Sequence, residues 1–578
     1  MQKYYSSEKN VQILVSLLKQ NGIRKIIASP GTTNLAFLGS VQSDSFFQVF
    51  SSVDERSAAY MACGMAQESG EAVVLSCTGA TASRNYMPGM TEAFYNKLPV
   101  LAVTSSQINA RLYNLNDQKT DRTDVPRDAA LCSFSMQVVK DDDDFFDCEI
   151  KTNRAIHSLK RNMPAHIELQ TIYSPDFSVK ELPYVRNIGL WKSFNVLPEL
   201  PVGKIAIVLG AHRKFSEAET KALDSFCEKH NAAVFRDHSN SSYNGKYFVV
   251  ASIMFGQFLA DRKNMNADLI IRIGEISGDC YGLGGNAEEM WRVCEDGQIR
   301  DPQRRLTDVF EMREEDFFNY YADKNTFKNS YFDECKTHSE KLLAKIPELP
   351  FSNLWIAKNT YKKIPCGSTV YLAILNTLRS WSFFPFEYGI ETFSNVGGFG
   401  IDGGVSSLIG ASLVNSEKLY FCITGDLAFF YDMNVLGNHH VGKNLRVLLI
   451  NNGVGTEFKN FNHPCARFEE AADNYMAARG HFGNKSLNLV RHYAEDLGFE
   501  YLCAKNKDEY FLSLEKFISA EISDKPVFFE VFTDSENESD ALKTVLSLEE
   551  STEGKAKNVV KSMIGEKGVR TLKKVLGK

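Results

Sequence analysis

Two apolar runs in this chain end in polar residues of a chemically suggestive kind. "LYFCITGDLAFF" closes on Gly425-Asp426, and "NLRVLLINNGVG" closes on Asn451-Asn452-Gly453, with 26 positions between Asp426 and Asn452. A carboxylate, a carboxamide oxygen and a free backbone carbonyl are hard oxygen donors of the type Mg²⁺ prefers. Gly425 and Gly453 let backbone approach closely, and helix N-termini add N–H groups for phosphate oxygens. The combination suggests a diphosphate held through a divalent cation. Two Asx caps explain the same residues about as well.

Elements that could bring such residues together are visible along the chain. The first section alternates buried strands with helices: "RKIIASPG", "FFQVFSSVDE", "EAVVLSCTG", "LPVLAVTSS" and "PAHIELQTI". A second section restarts at "GKIAIVLGAH" and a third runs from "STVYLAIL" to "KPVFFEVFTD". Apolar runs separated by helical patterns indicate mostly parallel sheets. The expected fold class is therefore α/β, with three consecutive Rossmann-like domains over 1–185, 200–345 and 350–535, then an extension over 536–578. Ligands of open α/β sheets collect at the carboxyl ends of strands, where Asp426 and Asn452 stand.

At 578 residues the chain is too long for a single core. A net charge of −7 argues against broad nucleic-acid affinity, and no apolar run approaches the ~20 residues that span a bilayer. With no signal-peptide pattern at its start, the protein is expected to be cytoplasmic. Twelve cysteines lie singly, which disfavours disulfides and structural zinc. "KDDDDFFD" (Lys140 to Asp147) reads as an acidic helix start rather than a metal site. The tail from Lys555 to Lys578 carries eight Lys/Arg against one Glu, a candidate basic amphipathic helix for an acidic partner or membrane surface. A solvated terminal helix is the plainer account.

One further carboxyl stands out. "FFQVFSSVDERSAAYMACGMAQESG" places Glu55 at the end of a buried strand and the start of an alanine-rich helix. Asp54 reads as helix N-terminal charge, and Glu55 admits the same account. With Glu55 in view, the chain resembles the thiamine diphosphate (ThDP) superfamily of 2-oxo-acid decarboxylases and carboligases. Within it the pattern is nearest to the synthase family that forms 2-succinyl-5-enolpyruvyl-6-hydroxy-3-cyclohexene-1-carboxylate (SEPHCHC). The motifs that carry the resemblance are "SPG" at Ser29, "DERSAAY" at Asp54, "CTGATASRNYMPGMTEA" at Cys77, "NDQ" at Asn116, "SNVGGFGIDGG" at Ser394 and "GDLAFFYDMN" at Gly425.

The resemblance implies pyrimidine-binding, central and diphosphate-binding domains, with ThDP and Mg²⁺ as cofactors. Glu55 would contact the aminopyrimidine and so promote loss of the thiazolium C2 proton. Asp426, the Asn452 side chain and the Val454 carbonyl would bind Mg²⁺, with Gly425, Leu427 and Ala428 beside them. Ile401 would prop the cofactor in its bent shape, Asn376 and Thr377 would meet the diphosphate, and Gln118 would reach the cavity. The active unit would be a homodimer or homotetramer.

Substrate positions depart from the family pattern. Thr33 in "PGTTN", Val396 in "SNVGG", Trp381 after "LNTLRS" and Gln107 in "TSSQINAR" each stand where that family carries arginine. Thr32, Thr33 and Asn34 would form a neutral hydrogen-bonding lip. Glu457 replaces a usually apolar residue, and His463 is a candidate proton shuttle. His439-His440 reads as structural. The expectation is decarboxylation of a 2-oxo acid and transfer of the acyl-anion equivalent to an acceptor other than isochorismate. A plain decarboxylase is the alternative, and a true SEPHCHC synthase stays open if Arg111 and Arg379 reach the cavity.

Overall fold

The computed structural model describes residues 4–239, 241, 243–260, 265–278, 280–322, 329–480 and 486–551, so the basic tail Lys555 to Lys578 lies outside the described residues. The chain divides into two compact units, Met1–Val196 with Glu295–Glu311, and Leu197–Cys294 with Met312–Lys578. The first division falls in the Pro- and Gly-containing stretch between the first two sections. The expected break at 345–350 lies inside the second unit.

In the first unit, strands β1 (Lys25–Ala28), β2 (Gln48–Ser51), β3 (Val73–Thr78), β4 (Val100–Gln107), β5 (Cys132–Met136) and β6 (Ala165–Thr171) form a parallel sheet ordered β2-β1-β3-β4-β6-β5. β4 and β6 are buried at every position because apolar layers cover both faces. Leu14, Leu17, Val103, Ile156 and Ile167 belong to one layer; Ala58, Ala62, Leu75, Met90 and Ala102 belong to the other. The acidic run is a helix start: Asp141 accepts the Asp143 and Asp144 N–H groups at the head of helix Asp142–Lys160. β7 (Gly189–Lys192) closes this stretch of chain.

The second unit opens with β8 (Ile205–Leu209), β9 (Ala232–Phe235), β10 (Phe248–Val249), β11 (Leu269–Ile273) and β12 (Glu289–Cys294), parallel and ordered β10-β9-β8-β11-β12. β13 (Leu306–Glu311) returns to the first unit and pairs with β7 in parallel. β14 (Thr369–Leu372), β15 (Glu391–Phe393), β16 (Tyr420–Gly425), β17 (Leu445–Asn451), β18 (Glu500–Ala504) and β19 (Val527–Phe532) then build a third parallel sheet, ordered β15-β14-β16-β17-β19-β18. Strand for strand, this is the order of the first sheet. Connections diverge to opposite sides after β14 and β16, which makes their carboxyl ends a topological switch point.

Local packing explains how Glu55 is presented. Helix Glu55–Ser69 buries Ala58, Ala59, Ala62, Cys63 and Ala66 and stops at Gly70 in a left-handed conformation. Helix Met87–Tyr95 approaches it so closely that a Cβ on Gly89 would lie 2.5 Å from Ala59 Cβ and 2.8 Å from its backbone carbonyl carbon. Gly89→Ala should therefore destabilise the protein by about 1–3 kcal/mol through overpacking. Thermal melting checks this, and a variant that melts with the wild type would refute the close approach.

Candidate active site

Register sets the two opening residues side by side. Gly425 pairs with Ile450 across β16 and β17, so Asp426 and Asn451-Asn452 emerge from neighbouring strand ends. Asp426 begins helix Asp426–Asp432 and is only 6% exposed. Its carboxylate accepts the Leu427 N–H at 2.8 Å and the Gly453 N–H at 2.6 Å. Gly453 has φ +74°, a backbone state that disfavours any side chain, and this turns its N–H toward the carboxylate. Asn452 Oδ1 accepts the Val454 N–H at 3.3 Å, and the Val454 carbonyl accepts the Thr456 hydroxyl at 3.4 Å. Gly425, Leu427 and Ala428 line the same corner half-buried.

No lysine or arginine pairs with Asp426 among the described residues. Burial pushes its pKa up to about 6, against the pull of the backbone N–H groups. A second buried acid compounds this. Glu530 on β19 is 1% exposed and accepts Asn451 Nδ2 and the Tyr501 hydroxyl, both at 2.7 Å. Burial raises its pKa too, and the Asp426 charge adds to the rise. Glu530 was not singled out from the sequence, yet a lone acid inside the apolar run "VFFEVF" is a legible signal.

The end of β14 supplies the other side of the corner. Leu375 adopts φ +66°, a costly conformation for leucine, and starts the short helix Asn376–Trp381. Asn353 Nδ2 lies 3.4 Å from Thr377 Oγ1, while Asn353 Oδ1 accepts Trp381 Nε1 at 2.9 Å. Glu538 accepts the Asn353 N–H and the Thr533 hydroxyl, each at 2.9 Å, and burial pushes its pKa up to about 7. Trp381 is fully buried and stacks on Phe386, and Val396 is 1% exposed. Both are core residues here, because their apolar bulk packs where a charged side chain would need a partner. Ile401 is half-buried.

The loop beyond Asn452 is folded onto itself. Glu457, on the turn Thr456–Lys459, forms an ion pair with Arg379. Gly455 N–H donates to the Ala477 carbonyl at 2.6 Å, and Lys459 Nζ pairs with Asp473 at 2.6 Å. His463 Nδ1 accepts the Cys465 N–H at 3.1 Å and its ring meets Phe458 edge-on. That nitrogen serves a local cap. His439 and His440 are exposed and lie ring against ring.

In the first unit, Glu55 is half-buried and accepts Asn85 Nδ2 at 3.2 Å. Asp54 instead caps the helix through the Arg56 N–H at 2.9 Å. Thr32 is exposed, whereas Thr33 and Asn34 are buried; Asn34 Nδ2 donates to the Ser29 carbonyl at 2.9 Å. The expected three-residue lip is thereby reduced to Thr32, since turn closure draws the other two inward. Gln107 is buried, donating to the Asp117 carbonyl at 3.3 Å and accepting Arg111 Nη1 at 2.9 Å. Gln118 is exposed with φ +56°. A buried ion pair next door, Lys119 to Glu168 at 3.0 Å, fixes the loop that carries it.

Comparison with known proteins bears on this geometry. Residues 9–125 match the family model described as "Thiamine pyrophosphate enzyme, N-terminal TPP binding domain". Along nearly its whole length the chain is similar to SEPHCHC synthases. It is 29% identical to that of Phocaeicola vulgatus, over 93% of this chain and 98% of the relative. It is 27% identical to that of Bacteroides thetaiotaomicron over the same shares, and 27% to that of Porphyromonas gingivalis over 92% and 96%. Its first section thus carries the N-terminal domain of a ThDP enzyme. Glu55 belongs to the first compact unit, and Asp426 and Asn452 to the second.

Asp426 gives a pH signature. Its folded-state pKa lies above the ordinary value of 3.8, so its stabilising contribution is complete below 3.8 and is lost as pH rises through about 6. Asp426→Asn should therefore melt higher than the cofactor-free wild type at pH 7. The gap should shrink toward pH 4, the whole change being on the order of 3 kcal/mol. Equal melting across that range would contradict the assignment.

Proposed function

We propose that this ThDP enzyme decarboxylates a 2-oxo acid and transfers the acyl-anion equivalent to an acceptor, with Mg²⁺ as the bridge to the diphosphate. The observation that carries the reading is the buried Asp426 carboxylate, near a second buried acid and, among the described residues, without a cationic partner. A divalent cation fits that charge and the hard oxygens of Asp426, Asn452 and Val454. Asn376, Thr377, Leu427 and Ala428 would hold the diphosphate, and Ile401 would support the ring system. Bound ThDP supplies the thiazolium that makes the carbon of a 2-oxo acid nucleophilic after loss of CO₂.

Glu55 would hold a proton against the aminopyrimidine, with Asn85 orienting its carboxyl. Val49, Phe50, Val53, Tyr60 and Met61 are exposed on β2, helix Glu55–Ser69 and the turn between them. An apolar surface beside a catalytic acid supports burial against a second copy, and we read the active unit as a homodimer or a dimer of dimers. Gln118 would reach the substrate, and Thr32 would border the entrance. The relatives carry the name SEPHCHC synthase; buried Trp381 and Val396 support a different pair of substrates here. Among the described residues no helix is long and apolar enough to cross a membrane, and a cytoplasmic location remains our reading.

Three outcomes test this. Glu55→Gln should bind ThDP with little change but lose C2 deuterium exchange by about 100-fold or more; exchange at the wild-type rate would remove Glu55 from its role. Asp426→Ala should abolish Mg²⁺-dependent ThDP binding in a calorimetric titration. Carbon-13-labelled 2-oxo acids with a panel of carbonyl acceptors should give a ligated product. Free aldehyde alone would make the enzyme a simple decarboxylase.

A further inference from the structure

The Arg379–Glu457 ion pair is placed by sheet order. β16 lies between β14 and β17. The helix bearing Arg379 leaves the end of β14, and the turn bearing Glu457 leaves the end of β17. A contact between them must cross the carboxyl end of β16, from which Asp426 issues. Arg379 Nη1 meets Glu457 Oε1, and the two side chains are 22% and 17% exposed. Arg379 Nε and Glu457 Oε2 are buried and have no hydrogen-bond partner among the described residues. Neither side chain forms another ion pair among the described residues, so each neutralises the other at one contact.

We propose that Glu457 is a specificity-determining residue: by pairing with Arg379 it keeps this end of the site neutral, so the enzyme selects a 2-oxo acid without a second carboxylate. The inference rests on the reaction proposed above and names its donor class. An unpaired guanidinium is a bidentate carboxylate receptor. A guanidinium already engaged by Glu457 is not, and an entering second carboxylate would have to displace Glu457 and then face its charge. Breaking a half-buried pair also leaves an uncompensated charge behind. Leu378 and Trp381, on the same short helix as Arg379, are buried and uncharged, as is Val396. A donor with an aliphatic or hydroxylated chain meets none of these costs.

The test compares 2-oxobutyrate with 2-oxoglutarate as donors, through ThDP- and Mg²⁺-dependent CO₂ release. It uses full-length wild type, Glu457→Gln, and the double variant Glu457→Gln/Arg379→Gln. The wild type should favour 2-oxobutyrate. Glu457→Gln should move the kcat/KM ratio toward 2-oxoglutarate by roughly ten-fold or more, mainly through KM, and adding Arg379→Gln should reverse the change. Calorimetric titration of the holoenzyme with glutarate, an unreactive dianion, should give the same order without turnover. Glu457→Met, which removes the charge at similar volume, replaces Glu457→Gln if that variant fails to fold. A wild type that prefers 2-oxoglutarate overturns the proposal, as does a Glu457→Gln variant with an unchanged ratio and unchanged glutarate affinity. If the wild type releases CO₂ from neither acid nor from any wider panel, the reaction assignment fails, and glutarate affinity alone still decides the charge bridge.

Discussion

The carboxyl edge of the last sheet depends on one contact, the Gly453 N–H held 2.6 Å from the Asp426 carboxylate. It ties the end of β17 to the end of β16 and requires the left-handed backbone that glycine adopts without strain. Through it the carboxylate is fixed in a buried corner by backbone donors, with no side-chain donor among the described residues. Such donors orient a charge but only partly replace its hydration. What remains is a negative site of defined geometry, deepened by Glu530 beneath it, and the neighbouring oxygens of Asn452 and Val454 acquire their meaning from that charge.

The first and third sheets repeat one strand order, yet they use it differently. In the first, the acid follows the edge strand β2 and stands half-buried among exposed apolar residues. In the third, the acid follows the strand beside the switch point and is buried beneath its own loop. A single architecture thus presents one carboxyl to a surface and encloses another. The repetition is invisible in the residues themselves, because a strand order is a property of non-local pairing.

What was legible in the sequence follows from how local each signal is. Apolar runs and their separations mark the three sheets, and the Gly-Asp and Asn-Asn-Gly endings mark two neighbouring strand ends. Motif order puts Trp381, Thr33 and Asn34 at substrate positions, and the structure turns them inward. Position along a motif says nothing about which way a side chain points once its helix or turn packs. The ion pair of Arg379 with Glu457 was equally hidden, since 78 residues separate the partners. Glu530, by contrast, is a local signal, a charge alone in an apolar strand.

Asp426, Glu530 and Glu538 share one further property: each is a buried carboxyl whose folded environment disfavours ionisation. The folded chain therefore bears an electrostatic penalty near neutrality, and a cation bound as proposed at Asp426 would relieve part of it. Binding that relieves such a penalty stabilises the native state by mass action. Proteases sample the opened chain, so on the proposed cofactor site the level of this enzyme would follow vitamin supply as well as synthesis.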